Sequence, residues 1–215
     1  MAILASINIG QPQTIPGKKS ETGIFKEPVD GEIAVTREGL AGDAILNRKH
    51  HGGRDQAVYL YFGDDYEWWA GELGRPVTPG TFGDNLTIGG VEGRRVAVGD
   101  RFIIDKLVLE VTSHRTPCNV LALRMGDPGF VRRFHNGGRP GAYCRVITEG
   151  TIRAGQPVKH VPFEGERTTV SELMELDGVR QPDPAILRRA LTAPVHYKMR
   201  VDFEAKLAAA VKLAP

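Results

Sequence analysis

One cysteine of this 215-residue chain stands where its sulfur could be reactive. Cys118 lies in the segment RTPCNVLALRMG, directly after Thr116 and Pro117, a pair typical of a helix start. Gly126 is the predicted end of this helix. The first helical turn and the neighbouring Arg115 both favour a thiolate, the form that attacks electrophiles and binds soft metals. The alternative is that Cys118 is a small apolar residue in a helix contact.

Two adjacent histidines form a second candidate site. His50 and His51 precede two glycines and Arg54 in the segment NRKHHGGRDQAVYLY. This pattern predicts a loop whose backbone can approach a ligand closely, followed by a strand. A pair of hydrogen-bonded structural histidines is the alternative interpretation.

Two glycine-rich segments precede other predicted strands. PGTFGDNLTI places Phe82 and Asn85 at a turn, although Asp84 and Asn85 could form only an Asx turn there. In HNGGRPGAYCRVI, strand alternation puts Tyr143 and Arg145 on one face and Cys144 on the other. We therefore expect Cys144 in the core, and Tyr143 and Arg145 toward a ligand.

Arginines cluster along the segment that carries the cysteine. Residues 115–145 contain six arginines, no lysine and one acid. Because the guanidinium group binds phosphate and carboxylate in a fixed geometry, this bias favours an anion site. Arg115, Arg139 and Arg145 are the candidates, beside the cysteine or at glycine-rich and strand positions. A solvated helix face is the alternative, and we expect it for Arg132 and Arg133.

Composition limits the classes of protein to consider. A hydrophobic fraction of 41% is enough to bury a core, and a net charge of +2 gives no argument for nucleic-acid binding. Two cysteines are too few for a disulfide scaffold and match no zinc-ligand spacing, so a cytoplasmic location is expected. We expect the apolar N-terminus to be a first strand, not a signal peptide, and no segment to span a membrane.

The elements that must position these residues are mostly short strands. Seven apolar runs, rich in Val, Ile and Tyr, lie between Gly, Pro and Asp turns in the first 160 or so residues: ILASINI, GEIAV, QAVYLYF, NLTIGG, RRVAVGDRFIID, LVLEVTS and AYCRVI. Such a pattern predicts a mainly β fold, a closed or nearly closed barrel with short inserted helices. The inserted helices are expected at DDYEWWAGELG, after Thr116, and after an Asp127 cap with Pro128 in the first turn.

The last 50 or so residues change to a helical pattern. A Thr169–Glu172 capping box opens the first helix, an Asp-Pro pair opens the second, and apolar residues at a spacing of four mark the third. Each helix is too short to be stable alone, so the three must pack together or on the barrel. We therefore expect a barrel domain at residues 1–162 and a three-helix extension at 163–215.

These motifs, in this order, resemble the MOSC domain, the molybdenum-cofactor sulfurase C-terminal family, over residues of about 30 to 160. The resemblance rests on HHGG with a following Gln56, FGDNL, the Gly99-Asp100 pair, RTPC and GRPGAYCRV. The helical tail resembles the appendage of the YiiM-type subgroup. A core cysteine at position 144 departs from the bulkier apolar residue expected there.

The resemblance implies a molybdenum-cofactor-dependent reductase of N-hydroxylated substrates. It implies Cys118 as the molybdenum ligand. For such a reaction we expect His51 to be the proton donor, because it lies in a glycine-backed loop and histidine titrates near neutral pH. The resemblance also implies a cofactor pocket whose members would be His50, Arg54, Phe82, Asn85, Arg115, Arg139, Tyr143 and Arg145. The alternative function is a carrier of the cofactor or of sulfur, with Cys118 as a transient persulfide. An open cavity beside Cys118 would favour the enzyme.

Partners follow from the same expectations. The sequence contains no flavin, haem or iron–sulfur motif, so electrons would come from an external donor such as a flavin reductase or a similar redox protein. We expect a small-molecule substrate and no nucleic acid or membrane partner. The tail should stabilise the fold without supplying a catalytic group, and pairing into a homodimer through its apolar stripes is one alternative to a monomer.

Overall fold

The computed structural model of the protein describes residues 1–15, 20–46 and 52–213. Among these residues the chain forms thirteen strands and six α-helices. The strands are β1 (Ala2–Gly10), β2 (Gln13–Thr14), β3 (Glu21–Thr22), β4 (Lys26–Pro28), β5 (Ile33–Thr36), β6 (Gly39–Leu40), β7 (Val58–Phe62), β8 (Leu86–Gly89), β9 (Arg101–Ile104), β10 (Leu107–His114), β11 (Ala142–Thr148), β12 (Gly150–Ile152) and β13 (Pro157–Val161). The helices are α1 (Gly63–Leu73), α2 (Asn119–Met125), α3 (Phe130–Gly137), α4 (Val170–Glu175), α5 (Pro184–Thr192) and α6 (Tyr197–Leu213).

Seven of the described strands close into a barrel. Their order is β13-β9-β10-β11-β7-β8-β1, and pairing of β1 with β13 completes the ring. The β7–β8 pair is parallel, whereas the other pairs are antiparallel. The prediction of a mainly β, closed barrel with inserted helices is therefore confirmed. A short Asp105–Lys106 turn joins β9 to β10, with Asp105 at a φ of 51°.

Strand β7 is buried on both faces, and this explains its unbroken apolar sequence. Val58, Leu60 and Phe62 point into the barrel core. Tyr59 and Tyr61 belong to a second cluster outside the barrel, built with aromatic residues of α1 and α3. The Tyr61 hydroxyl accepts a hydrogen bond from Trp69 Nε1 at 2.8 Å and donates one to the Arg139 carbonyl at 2.8 Å. The inserted helices are thus fixed to the outer face of the same strand.

The helical tail packs as predicted. Leu173, Leu187 and Phe203 from its three helices share an apolar cluster with Val98, which precedes β9. The Thr169 hydroxyl accepts from the Glu172 N–H at 3.1 Å, and the Glu172 carboxylate accepts from the Thr169 N–H at 2.7 Å. The expected capping box is therefore present. The domain boundary at residue 162 stays a prediction.

Two local predictions differ from the structure. The RRVAV run, predicted as part of a strand, begins as a short 3₁₀ turn at Gly93–Arg95. It then pairs with the tail, where the Val98 N–H donates to the Thr168 carbonyl at 3.0 Å. Helix α3 begins at Phe130, two residues after Pro128, because the Asp127 carboxylate accepts from the Gly129 N–H at 2.8 Å and holds a turn first. The described helices include none that is both long and apolar enough to cross a bilayer.

Candidate functional site

A cavity of about 690 Å³ lies among loop segments next to strands β7 and β11. Its walls come from segments 20–26, 43–46, 52–59, 82–85 and 115–120 and from one residue of β11. Its size is in the range of small-molecule and cofactor sites. Five of the residues singled out in the sequence line it: Phe82, Asn85, Arg115, Cys118 and Tyr143.

Cys118 occupies the N-cap position of α2, with φ −133° and ψ 168°. The sequence places the cap at Thr116 instead, and this prediction is wrong by two residues. Pro117 holds the preceding residue extended, and the Thr116 hydroxyl donates to Asp177 at 3.2 Å instead of capping α2. Because α2 spans only seven residues, we take the cavity, and not the helix dipole, as the feature that defines the surroundings of Cys118.

Arg115 supplies the cavity with a buried cation. Its side chain packs between aromatic rings, with the guanidinium carbon 5.3 Å from the Phe134 ring centre and 6.0 Å from that of Tyr59. Its Nη1 atom is buried and has no hydrogen-bond partner among the described residues. Burial raises the pKa of Tyr143. The neighbouring Arg115 opposes this rise, and Cys118 adds to it. Arg115, Cys118 and Tyr143 are therefore electrostatic neighbours with capacity for an anion.

A second polar group in the cavity wall joins Lys26, Asp43 and Asn85. The Lys26 ammonium donates to Asp43 Oδ2, and Asn85 Nδ2 donates to the same oxygen at 2.9 Å. Asn85 Oδ1 in turn accepts from the Tyr59 N–H at 3.1 Å. Sequence reasoning missed Lys26 and Asp43, since a lone lysine in GIFKEP and a lone aspartate in GLAGD follow no motif of their own.

Asp84, next to Asn85, supports the wall from behind. It accepts from the Tyr66 hydroxyl at 2.6 Å and from the Thr87 hydroxyl at 2.9 Å. Burial raises its pKa, and these hydrogen bonds oppose the rise. The Asp84-Asn85 pair is thus a structural support at the start of β8.

The structure does not bring Arg54, Arg139 or Arg145 to the cavity. Arg54 is exposed in the 3₁₀ turn Arg54–Gln56. Arg139 donates to Asp65 at 2.5 Å, with its guanidinium carbon 4.9 Å from the Trp68 ring centre.

Arg145 shows how strand register separates two candidates that share a face. It lies 3.1 Å from Asp55, 3.7 Å from Glu110, and donates to the Pro194 carbonyl at 3.1 Å. It follows Tyr143 on the same face of β11, but two residues advance a strand by about 7 Å. That distance carries Arg145 past the cavity to the helical tail.

The two histidines, His50 and His51, lie outside the described residues, and their roles stay predictions. Gly52 and Gln56, which follow them, do line the cavity. Cys144 is fully buried in the barrel core, where burial raises its pKa well above the usual range of a thiol. The expectation of a core position for Cys144 is confirmed.

The cavity residues fit a metal that brings most of its own ligands. The described residues contain no cluster of three or more His, Cys, Asp or Glu side chains able to hold a metal ion. One wall cysteine, however, can complete the coordination of a metal carried by an organic cofactor. The buried, unpaired Nη1 of Arg115 suits an anionic group of such a cofactor. On this donor set, the molybdenum cofactor fits.

The part of the sequence that carries the cavity cysteine and most of the barrel strands matches a known protein family. Residues 47–159 match the MOSC domain, and the chain belongs to the MOSC domain family. It is 39% identical over 152 residues to the uncharacterized protein YflK of Bacillus subtilis, a match that covers 70% of this chain and 69% of YflK. It is 34% identical over 157 residues to the protein YiiM of Escherichia coli, covering 71% and 69%.

Structural similarity extends through the helical tail. The crystal structure of YiiM from Geobacillus stearothermophilus has a TM-score of 0.80 and 27% identity, and the match covers 96% of this chain and 100% of that one. The chain is thus a homologue of YiiM, with barrel and tail in the same arrangement.

A protein of Gibberella moniliformis named "Reductase" is 31% identical over 148 residues, which are 66% of this chain but 26% of that longer protein.

Proposed function

We propose that this protein binds the molybdenum cofactor and reduces N-hydroxylated compounds, such as N-hydroxylated purine bases. One observation carries the proposal: Cys118 lies on the wall of an open cavity of about 690 Å³, next to the buried cation of Arg115. Membership of the MOSC family and similarity to a relative named "Reductase" support it.

Three cavity residues would hold the cofactor. Cys118 would bind the metal as a thiolate, Arg115 would bind an anionic group, and Tyr143 would close the wall between them. When bound, the cofactor supplies the two electrons that cleave an N–O bond. The protein contributes position and charge, because Arg115 is already fixed between two aromatic rings before a ligand arrives.

The remaining space suits a flat substrate. Tyr143 is half-buried at the cavity wall, and the buried Tyr59 ring packs against it with 5.0 Å between the ring centres. The Tyr59 hydroxyl donates to the Pro140 carbonyl at 2.8 Å, and this hydrogen bond holds the supporting ring in place. Planar aromatic compounds pack well on such surfaces.

The reaction needs protons as well as electrons. An N-hydroxylated amine takes up two electrons and two protons, the N–O bond breaks, and the products are the amine and water. We keep His51 as the proposed donor of a proton to the leaving oxygen, since histidine titrates near neutral pH. The electrons would come from an external flavin reductase or a similar redox protein in the cytoplasm.

A carrier of the cofactor or of sulfur is the second candidate function, with Cys118 as a persulfide site. An open cavity with room beside the cysteine favours the reductase, because a carrier requires space for its cargo alone. The test is metal and pterin analysis of protein made in a host that synthesises the cofactor, followed by a reductase assay with N-hydroxylated adenine and an artificial electron donor. Turnover supports the enzyme, whereas fully loaded but inactive protein supports the carrier.

A further inference from the structure

The cavity contains a buried lysine to which the proposed reaction assigns no part. Lys26 lies on β4, lines the cavity, and is 8% exposed. Its ammonium donates to Asp43, which lies in the loop after β6. Long cationic side chains are seldom buried this far unless they are paired or have a ligand to bind.

The hydrogen bonds around Lys26 leave donors available, but few acceptors. Asp43 accepts from Lys26, from the Gly10 N–H at 2.9 Å and from Asn85 at 2.9 Å, so most of its lone pairs are in use. Asn85 Oδ1 is occupied by the Tyr59 N–H. The ammonium has three N–H groups, and the described part of the chain gives them one acceptor, Asp43. This part of the cavity therefore offers N–H groups to a ligand.

Charge separates this group from Arg115. The Lys26–Asp43 pair is close to neutral as a unit; burial lowers the pKa of Lys26, while Asp43 acts to raise it. The buried Nη1 atom of Arg115, by contrast, has no hydrogen-bond partner among the described residues. An anion thus gains more at Arg115, and a neutral acceptor, such as a ring nitrogen or a carbonyl oxygen, suits Lys26 better.

We propose that Lys26 is a substrate-binding residue that donates a hydrogen bond to an acceptor on the edge of a neutral, planar heterocycle. Asp43 holds the ammonium in place, and the half-buried Tyr143, which lines the same cavity, contacts the face of the ring. The assignment of this ligand as the substrate rests on the proposed function, whereas the hydrogen bond itself does not.

The test compares two ligands of similar size with full-length protein free of cofactor. Adenine carries ring-nitrogen acceptors at its edge, and indole carries none. Calorimetric titration should show adenine binding about tenfold more tightly than indole, as expected for one charge-assisted hydrogen bond. Lys26→Met should remove this difference while leaving indole affinity unchanged. Lys26→Arg, which keeps charge and donors, should retain part of it.

Controls separate binding from folding. Lys159→Met removes an exposed lysine on β13 and should change neither affinity. If Lys26→Met alone does not fold, because Asp43 is left unpaired, the charge-balanced Lys26→Met/Asp43→Asn variant takes its place. The comparison of adenine with indole on the unaltered protein needs no variant.

Equal affinities for adenine and indole, no adenine binding, or full adenine affinity in the Lys26→Met protein would each overturn the proposal. The proposed function fails separately. Loaded protein without reductase activity, combined with lysine-dependent adenine binding, would reject the enzyme and keep the binding site. Reductase activity that is unchanged in the Lys26→Met protein, without lysine-dependent adenine binding, would reject the binding site and keep the enzyme.

Discussion

His114 Nε2 lies 3.0 Å from Asp177 Oδ2, and this contact ties the cavity to the helical tail. His114 is the last residue of β10, while Asp177 follows α4. Asp177 also accepts from the Thr116 hydroxyl at 3.2 Å, two residues before Cys118. Although burial by itself raises the pKa of Asp177, the hydrogen bonds from His114 and Thr116 outweigh it and lower that pKa. The tail therefore holds the segment that carries the cysteine, while the absence of a catalytic group from the tail stays a prediction.

We expect Asp177→Ala to lower the free energy of unfolding by about 1–2 kcal/mol, as for other hydrogen bonds to a charged group. Because the folded pKa of Asp177 is depressed, its contribution is present above the unfolded value of about 4 and disappears as pH falls below it. Urea denaturation at pH 7 and pH 3 measures this difference. The matched control is Asp183→Ala, which removes the cap of α5 at a similar cost.

The two tail variants should differ in molybdenum content. Asp177→Ala displaces the 115–118 segment and should reduce the metal retained, while Asp183→Ala should not. Equal molybdenum content in the two variants would show that the tail does not position Cys118.

Cys118→Ser should abolish molybdenum retention, while Cys144→Ala should retain it. Cys118 lies on the cavity wall, and Cys144 lies in the barrel core. Alanine is used at position 144 because a buried hydroxyl without a partner would itself cost about 1–3 kcal/mol. Metal analysis of both proteins checks the prediction, and comparable metal content would remove Cys118 from the site.

Arg115→Met should lower pterin occupancy at least tenfold, since it removes the buried cation from the cavity. Arg145→Ala should lower stability and keep the cofactor, because Arg145 contacts Asp55 and Pro194 instead. Arg132→Ala, on the exposed face of α3, is the surface control. Fluorescence of the released pterin reports occupancy. A greater loss of pterin in Arg145→Ala than in Arg115→Met would contradict the assignment of Arg115 as the anion-binding residue.

Stability should fall as pH rises from about 4 to 7, through Asp65. Burial raises the pKa of Asp65 to about 7, although a hydrogen bond from Arg139 opposes the shift. In this window the folded protein binds a proton that the unfolded chain has released, so raising the pH favours unfolding, by at most about 4 kcal/mol. Asp65→Asn should flatten the dependence. Denaturation of both proteins at pH 5 and pH 7 gives the change in the free energy of unfolding with pH. The same change in the Asp65→Asn variant as in the unaltered protein would exclude this role.

His51→Ala should lose turnover of an N-hydroxylated purine while keeping its molybdenum. The expectation rests on sequence alone, because position 51 lies outside the described residues. His160→Ala is a suitable comparison, since His160 lies on β13, pairs with Asp100 at 2.8 Å, and is not among the residues that line the cavity. Undiminished turnover in the His51 variant would remove that histidine from the mechanism.

Most of the helices and strands follow from local patterns in the sequence. Alternation along AYCRVI placed Cys144 in the core, and the Thr169–Glu172 box set the start of α4. The Arg115–Cys118 pair was also predictable, because three residues of chain keep the two groups close. These features depend on local physics, namely strand period, capping and short chain separation.

Contacts between residues far apart in the chain could not be predicted in this way. The Lys26–Asp43 pair depends on where β4 and the loop after β6 come to lie around the closed barrel, and no local pattern encodes that distance. Arg139 and Arg145 fit an anion site by type and position, yet ring closure and register gave them the partners Asp65 and Asp55. Helix α2 is capped at Cys118 and not at the predicted Thr116, because the Thr116 hydroxyl donates to Asp177, about sixty residues away in the chain. Contacts across such separations follow from strand register and the docking of the tail, which are properties of the whole chain.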